Sequence, residues 1–493
     1  MTELLSLNTY PHLGDKVSPL QYELKNATPG IVHLGIGAFH RAHQAVYTDD
    51  LLAKGDTQWK ITAVSLRSAS IRNVMKPQDN LYTVVERSNG KDNTRLIGAI
   101  DNVLVAQENP QGVIDILADA STKVVTLTVT EKGYCRDKSG QHLDVNNEII
   151  INDLNNLNVP KSVPGFIFAA CKIRQKTGEK LTIVSCDNLP ANGAVTRAIV
   201  MEFAQKADEN VAQWIASNVS FCNSMVDRIV PATTADDIAQ VTQLLGVQDN
   251  SVVITEPFKQ WVIEDNFVNE RPSWHKVGAL FVDDVAVFED MKLRLLNGAH
   301  STLAYIGFLM GYEYIHQAVY DKHCLAFVKA LHNQLLSTLS AVEGIDLPAY
   351  ADTILARFSN EDVPYKTTQV ACDGSEKLPQ RLLKPAETLA DDGINSQPIA
   401  FVIASWCRFL EGVDHLNRPF NIVDPLADLL TTKANEYKNH EEKQVVEILS
   451  ELGASSEKLL LNKDFVEQIV VYLTNIHQVG MEKALKMFIA KNI

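Results

Sequence analysis

The stretch "IVHLGIGAFHRAHQAVYTDDLL", Ile31 to Leu52, decides how the first half of the chain is read. An apolar run ends in Gly35-Ile36-Gly37, and a helical pattern follows. A strand that enters a glycine turn and then a helix lets the backbone approach a pyrophosphate. The helix start supplies free N–H groups and a partial positive charge. The dinucleotide fingerprint places a third glycine at position 40, where this chain has His40. Three readings are open at this point. The turn binds a dinucleotide with an altered third position, or it keeps glycines for backbone reasons alone, or His40 and His43 build a metal site. Residues three apart on a helix lie on neighbouring faces, so two histidines there can share a metal. The sequence implies no third ligand, and Arg41 sets a cation between them.

Outward from this turn, "WKITAVSLR", "KVVTLTVTEKGYC", "KLTIVSCDN" and "SVVITEPF" are further strand candidates. Amphipathic segments such as "NPQGVIDILADAST" and "PGFIFAACKIRQKTGEK" separate them. Alternating strands and helices predict βαβ units and a mainly parallel sheet, with ligands at the carboxyl ends of its strands. After about residue 288 the texture becomes helical. "FEDMKLRLLNGAHSTLAYIGFLMGYEYIHQAV" is expected as one long helix with a glycine interruption. The expected fold class is α/β, with residues 1–284 forming the sheet domain and residues 285–493 a mainly α-helical domain.

Bulk properties narrow the function. Of 493 residues, 46% are hydrophobic and 21% charged, an ordinary globular composition. A net charge of -15 argues against sequence-independent nucleic-acid binding, which needs cations to displace phosphate counterions. Seven scattered cysteines form no CxxC pair, which suits a reducing compartment. Residues 1–16 lack the pattern of a secretory signal, and no run approaches the roughly 20 apolar residues of a membrane span. The expectation is a cytoplasmic monomer acting on a small molecule, with no nucleic-acid or membrane partner.

The ribose end of the site departs from the common pattern. An acidic residue usually stands about 20 residues past the turn, at the end of the second strand. Here Ser65-Leu66-Arg67 ends that strand and Ser68-Ala69-Ser70-Ile71-Arg72 follows, without a carboxylate. Either hydroxyls hold the ribose, or Arg67 and Arg72 accommodate a 2′-phosphate.

A second constellation lies in "MKLRLLNGAHS". On a regular helix, with Lys292 at zero, Glu289 falls near about 60°, His300 about 80° and Asn297 about 140°. All four then share one arc. The set suits carbonyl–alcohol interconversion. Lys292 is the candidate general acid/base, Asn297 an oxyanion donor, and His300 a partner for a neighbouring hydroxyl. Asn188, in "SCDNLPANG" at the end of a strand, is a second candidate amide.

With these pieces in hand, the chain resembles the mannitol dehydrogenase family of polyol-specific long-chain dehydrogenases/reductases. The motifs carrying the resemblance are "GIGAFHRAHQA", "TVTEKGYC", "SCDNLPANGAVTR", "MVDRIVP", "EPFKQWVIEDNF", "KLRLLNGAH" and "DGSEKLPQR". It runs from about residue 30 to the C-terminus. It implies an N-terminal Rossmann-type doubly wound sheet, a mainly helical C-terminal domain, a nicotinamide cofactor and no zinc. Residue by residue, it implies that Lys292 is the general acid/base and that Asn188 and Asn297 are the oxyanion amides. It gives His300, Asp227 and Lys377 substrate contacts, and Glu131 and Glu289 a proton path. Gly35, Ile36, Gly37, Ala38, Phe39, His40 and Arg67 fall on the cofactor side.

Two departures bear on specificity. Gln369 stands where polyol-oxidising members tend to carry an arginine, and "VTEKGYC", "MKLR" and "DGSEKLPQR" resemble the hexuronate branch instead. That branch interconverts D-fructuronate and D-mannonate and must hold a carboxylate. Arg294 and Arg381 are the candidates, because guanidinium forks match carboxylates. "CDNLPANGAVTR" resembles the mannitol enzymes, so D-mannitol and D-fructose are the alternative pair. A nucleotide-binding sensor without turnover is the alternative from outside enzymes. Ala69 and Ser70 stand where mannitol enzymes show acidic residues; NAD is the expected cofactor and NADP its alternative.

Overall fold

The apolar run before the glycine turn forms strand β1 (Pro29–Leu34). The computed structural model describes residues 2–14, 16–137, 140–342 and 344–493, the side chains of Glu131 and Ser455 excepted. It contains two compact units, Met1–Ala286 and Val287–Ile493.

In the first unit five strands lie parallel to β1 in one sheet. They are β2 (Lys60–Ser65), β3 (Ile100–Val105), β4 (Val124–Leu127), β5 (Leu181–Ser185) and β6 (Val219–Cys222). Their spatial order is 3-2-1-4-5-6. The order reverses between β1 and β4, which creates a crevice at the carboxyl ends of those strands. Every residue of β2, β4 and β5 is buried, as expected where helices cover both faces of a parallel sheet.

"SVVITEPF" does not join this sheet. Its strand, Val253–Thr255, pairs with Tyr82–Ser88 in a separate four-stranded sheet. An apolar run marks a buried strand without saying which sheet buries it. The real third and sixth strands are less apolar: β3 carries Asp101 and Asn102, and β6 is only four residues long. A small sheet of Ser224–Asp227, Gln260–Glu264 and Leu280–Val282 completes the unit.

The second unit is helical, with no named strand among its described residues. Gln397–Phe409 is apolar nearly all round and buried, as befits a central helix. Lys463–Val479 packs along it. The long helix expected near residue 290 is not uniform. Ala286–Met291 is α-helical, Lys292–Gly298 is a π-helix, and Ala299–Leu309 is α-helical again. The interruption is therefore a change of winding that begins at Lys292, not a break at the glycine. A second π-helical stretch, Pro379–Leu383, packs against the first.

Candidate functional site

The glycine turn has two glycines for two different reasons. Gly35 has φ +101°, and a Cβ there would lie 2.1 Å from the Thr128 carbonyl oxygen. Gly37 is the opposite case: a Cβ would meet only the Gly35 oxygen, at 3.9 Å. The space over Gly37 is open, the close approach that a pyrophosphate needs. The turn is tied to β2, because Gly35 N and Ile36 N both donate to the Val64 carbonyl, at 2.9 and 3.3 Å. Helix Ala38–Ala42 follows directly.

His40 has a duty that glycine could not perform. Its ring stacks on His33 of β1, with centroids 3.4 Å apart and planes 13° from parallel. His33 is anchored in turn by Thr126 Oγ1 at 2.7 Å and Thr128 Oγ1 at 2.9 Å. A third glycine ordinarily allows close helix–strand packing; here a ring pair fills the gap. Burial keeps both rings neutral, lowering His33 to about 3 and His40 well below its ordinary value. His43 Nε2 instead hydrogen-bonds the Gln260 carbonyl at 2.8 Å, and Phe39 stacks on its ring. The two histidines therefore serve separate partners. Among the described residues no group of three His, Cys, Asp or Glu is placed to hold a metal ion.

The first helix stops at Ala42 because its last carbonyls are taken from outside. Tyr82 OH donates to Arg41 O at 2.7 Å, and Arg228 donates to Ala42 O at 2.6 Å. Arg228 also donates to the Glu256 carbonyl at 2.9 Å. Three separate motifs, "FHRAH", "MVDR" and "EPFKQ", thus meet in one network beneath the turn.

Around the crevice, Asp187 accepts from Val129 N (3.0 Å), Thr130 N (2.8 Å) and Tyr134 OH (2.7 Å). It ties "TVTEKGY" to "SCDN" and leaves Asn188 exposed at the carboxyl end of β5. Asp227 is buried at the end of its strand. Glu131 opens the short helix Glu131–Tyr134, but its side chain, assigned above to a proton path, lies outside the described residues. A cavity of about 410 Å³ opens at the carboxyl ends of β2, β3 and β4, lined by Arg67, Ala106, Gln107 and Val129. Arg72 is not free to serve it, because both its terminal nitrogens contact Glu108.

In the second unit the π-helix changes the arc expected for the lysine set. Its i→i+5 register fits more residues into each turn than an α-helix, so angles built on 100° per residue do not hold across Lys292–Gly298. The same register frees carbonyls, and side chains satisfy them. His332 Nε2 bonds Leu295 O at 2.9 Å, Arg381 donates to Asn297 O at 3.3 Å, and Thr302 donates to Gly298 O at 2.8 Å. Lys292 is buried and Asn297 half-buried. His300 is sandwiched by aromatic rings, stacked on Phe358 at 4.7 Å with Tyr365 edge-on at 5.6 Å. Glu289 lies half-buried on the preceding helix.

The two arginine candidates separate. Arg294 pairs with Asp290 at 2.7 Å and donates to Thr338 O, so in this structure it is an internal cation. Arg381 also donates to Ser301 Oγ at 2.9 Å, yet no carboxylate lies within ion-pair distance among the described residues. Burial lowers it to about 10. Lys377, one turn earlier, is pushed down by burial and then by Arg381. Its ammonium donates to Cys372 O at 2.6 Å and stands 3.7 Å from Asp373. The supports His33, Asp187, Arg228 and His332 were not singled out from sequence; a histidine inside the apolar run of β1 was the one local signal available.

A parallel sheet of order 3-2-1-4-5-6 with a glycine turn at its reversal defines a dinucleotide-binding class of protein. Residues 29–276 match the mannitol dehydrogenase Rossmann domain, and residues 284–477 match the mannitol dehydrogenase C-terminal domain. The D-mannonate oxidoreductase of Escherichia coli (strain K12) is 42% identical over 464 residues, covering 92% of this chain and 94% of that protein. Among solved structures, mannitol 2-dehydrogenase of Pseudomonas fluorescens, in a ternary complex with NAD and D-mannitol, aligns with TM-score 0.87 and 36% identity over 99% of both chains. A D-sorbitol dehydrogenase in substrate-free form aligns with TM-score 0.91 and 31% identity, over 98% of this chain and 100% of that one. The chain belongs to the mannitol dehydrogenase family. No helix among the described residues is long and apolar enough to cross a membrane.

Proposed function

We propose that the protein is an NAD-dependent oxidoreductase that interconverts D-fructuronate and D-mannonate. The observation that carries the choice of a sugar acid is Arg381: a cation lowered by burial, with no carboxylate within ion-pair distance among the described residues, braced against the carbonyl of Asn297. A guanidinium held in this way fits a substrate carboxylate. The 42% identity to a D-mannonate oxidoreductase supports the same reading.

The glycine turn fits the dinucleotide, with Gly37 leaving room for the pyrophosphate and His40 and His33 setting the helix that follows. When bound, the reduced nicotinamide supplies the hydride. Lys292, as ammonium, gives the proton to the oxygen of the substrate carbonyl, and as amine takes it back in the oxidation. The Asn297 amide donates to that oxygen while it carries negative charge. Its backbone is fixed by Arg381, so one arginine serves both the carboxylate and the amide. His300, wedged between Phe358 and Tyr365, orients a hydroxyl, and Lys377 contacts the substrate beside Arg381. Glu289 keeps its proposed place on the proton path. In the first unit, Asn188 and Asp227 keep their proposed roles, as second amide and substrate contact.

The alternative is a mannitol 2-dehydrogenase, favoured by the likeness to the Pseudomonas enzyme. Reduction of D-fructuronate and of D-fructose by NADH, measured side by side, separates the two. We expect kcat/KM for D-fructuronate to exceed that for D-fructose. We expect Arg381→Leu to lower the D-fructuronate value by about 10- to 100-fold, and D-fructose by much less. The opposite ranking establishes the mannitol reading, and binding of NADH without turnover of either sugar establishes a sensor.

A further inference from the structure

The cavity in the first unit lies where a βαβ fold places the adenosine ribose of a dinucleotide, beyond the carboxyl end of β2. Selection for an unphosphorylated ribose normally comes from a carboxylate at that strand end, which bonds the 2′-hydroxyl. It would also repel a 2′-phosphate. Here the strand ends in Ser65-Leu66-Arg67. Among the described residues, no Asp or Glu lines the cavity. Three cations do: Arg67, Lys132 and Lys161, all exposed and none in an ion pair among the described residues.

The surrounding groups strengthen the contrast. Glu108, just beyond β3, is engaged by Arg72, so the one nearby carboxylate on that strand end is already neutralised. Asp153, behind the cavity wall, is buried and accepts from Lys161 N, Ser162 N and Ser162 Oγ. The turn after β2 is set by Ser65 Oγ, which donates to Ser68 O at 2.6 Å. It presents Ser68 and Ser70 with their hydroxyls 2.9 Å apart. These hydroxyls can donate to phosphate oxygens, and the exposed guanidinium beside them, which has donors and no acceptor, matches a phosphate and offers nothing to the hydrogens of a ribose diol.

We infer that this pocket accepts a 2′-phosphorylated ribose, so that the protein binds NADP(H) as well as NAD(H), with Arg67 the principal partner of the phosphate. The inference rests on the reading of the fold as a dinucleotide-dependent reductase. It goes beyond that reading in the class of cofactor admitted.

Binding of NADH and NADPH to the purified full chain, by calorimetry or nucleotide fluorescence, tests it without turnover. Competition by 2′,5′-ADP and by 5′-AMP isolates the phosphate. The expected result is an NADPH dissociation constant within about tenfold of that for NADH, and 2′,5′-ADP competing at least about tenfold better than 5′-AMP. Arg67→Ala should cost NADPH at least about tenfold more than it costs NADH, the size of a charged hydrogen bond. NADPH binding more than tenfold weaker than NADH, or 2′,5′-ADP no better than 5′-AMP, overturns the inference. Equal losses for both dinucleotides in Arg67→Ala overturn the assignment to Arg67. Failure of both dinucleotides to bind overturns the dinucleotide reading itself, a distinct outcome.

Discussion

The glycine turn of the first unit and the lysine segment of the second both depart from regular backbone, by opposite means. At residues 35–37 the departure is made by residue type: Gly35 takes φ +101°, and a Cβ would strike the Thr128 carbonyl. At residues 292–298 it is made by partners: His332, Arg381 and Thr302 each take up a carbonyl in or bordering the π-helix. The first device is local and survives in a short peptide pattern. The second is distributed over helices up to 84 positions apart in the chain. A substitution within the turn should therefore break it directly, whereas the lysine segment can be broken from a distance.

Gly35→Ala carries the largest expected cost. Strain at a left-handed φ and the 2.1 Å contact together should destabilise the first unit by about 3 kcal/mol or more. Denaturant unfolding reads this, and loss of NADH binding should accompany it. His332→Phe comes next. It leaves the Leu295 carbonyl without its donor, for an expected loss of about 1–3 kcal/mol. Turnover should fall with it while NADH binding holds. An unchanged kcat in His332→Phe would mean that the π-helix does not depend on this support.

The smallest effect is on pH dependence, and it has opposite signs in the two units. His33 and His43 are lowered to about 3 by burial, and His40 is also well below its ordinary value. The unfolded chain takes up these protons below about pH 6.5 while the folded chain does not. The stability they support is complete above that pH and declines as pH falls toward 3. His477 in the second unit behaves in reverse. Burial opposes its charge, but Glu411 at 2.5 Å and Glu441 at 3.0 Å outweigh burial and raise it. Its contribution is complete below about pH 6.5 and lost as pH rises through the raised folded value. Hydrogen exchange between pH 8 and 5 should show β1 loosening toward acid and Lys463–Val479 tightening. Parallel trends in the two segments would contradict these assignments.

The same contrast explains what was legible in the sequence. Three of the five sheet strands beyond β1's turn announced themselves as apolar runs, β2, β4 and β5, and the glycine turn marked the switch point. β3 and β6 did not, because Asp101 and Asn102 interrupt one and the other is short. "SVVITEPF" looked like a member of the main sheet because periodicity carries no information on pairing. Lys292, Asn297 and His300 stand close together in the sequence, but their angular arrangement was not legible, since no local residue signals the π-helix. Arg294 and Arg381 looked alike in sequence. Only the positions of Asp290 and Thr338 show that the first is already engaged.

Turnover of purified Lys292→Ala with D-fructuronate and NADH at saturation tests the central claim most directly. The account predicts a fall of at least about 100-fold, the low end for loss of a general acid/base, in a variant that still binds NADH. Near-wild-type turnover would contradict it.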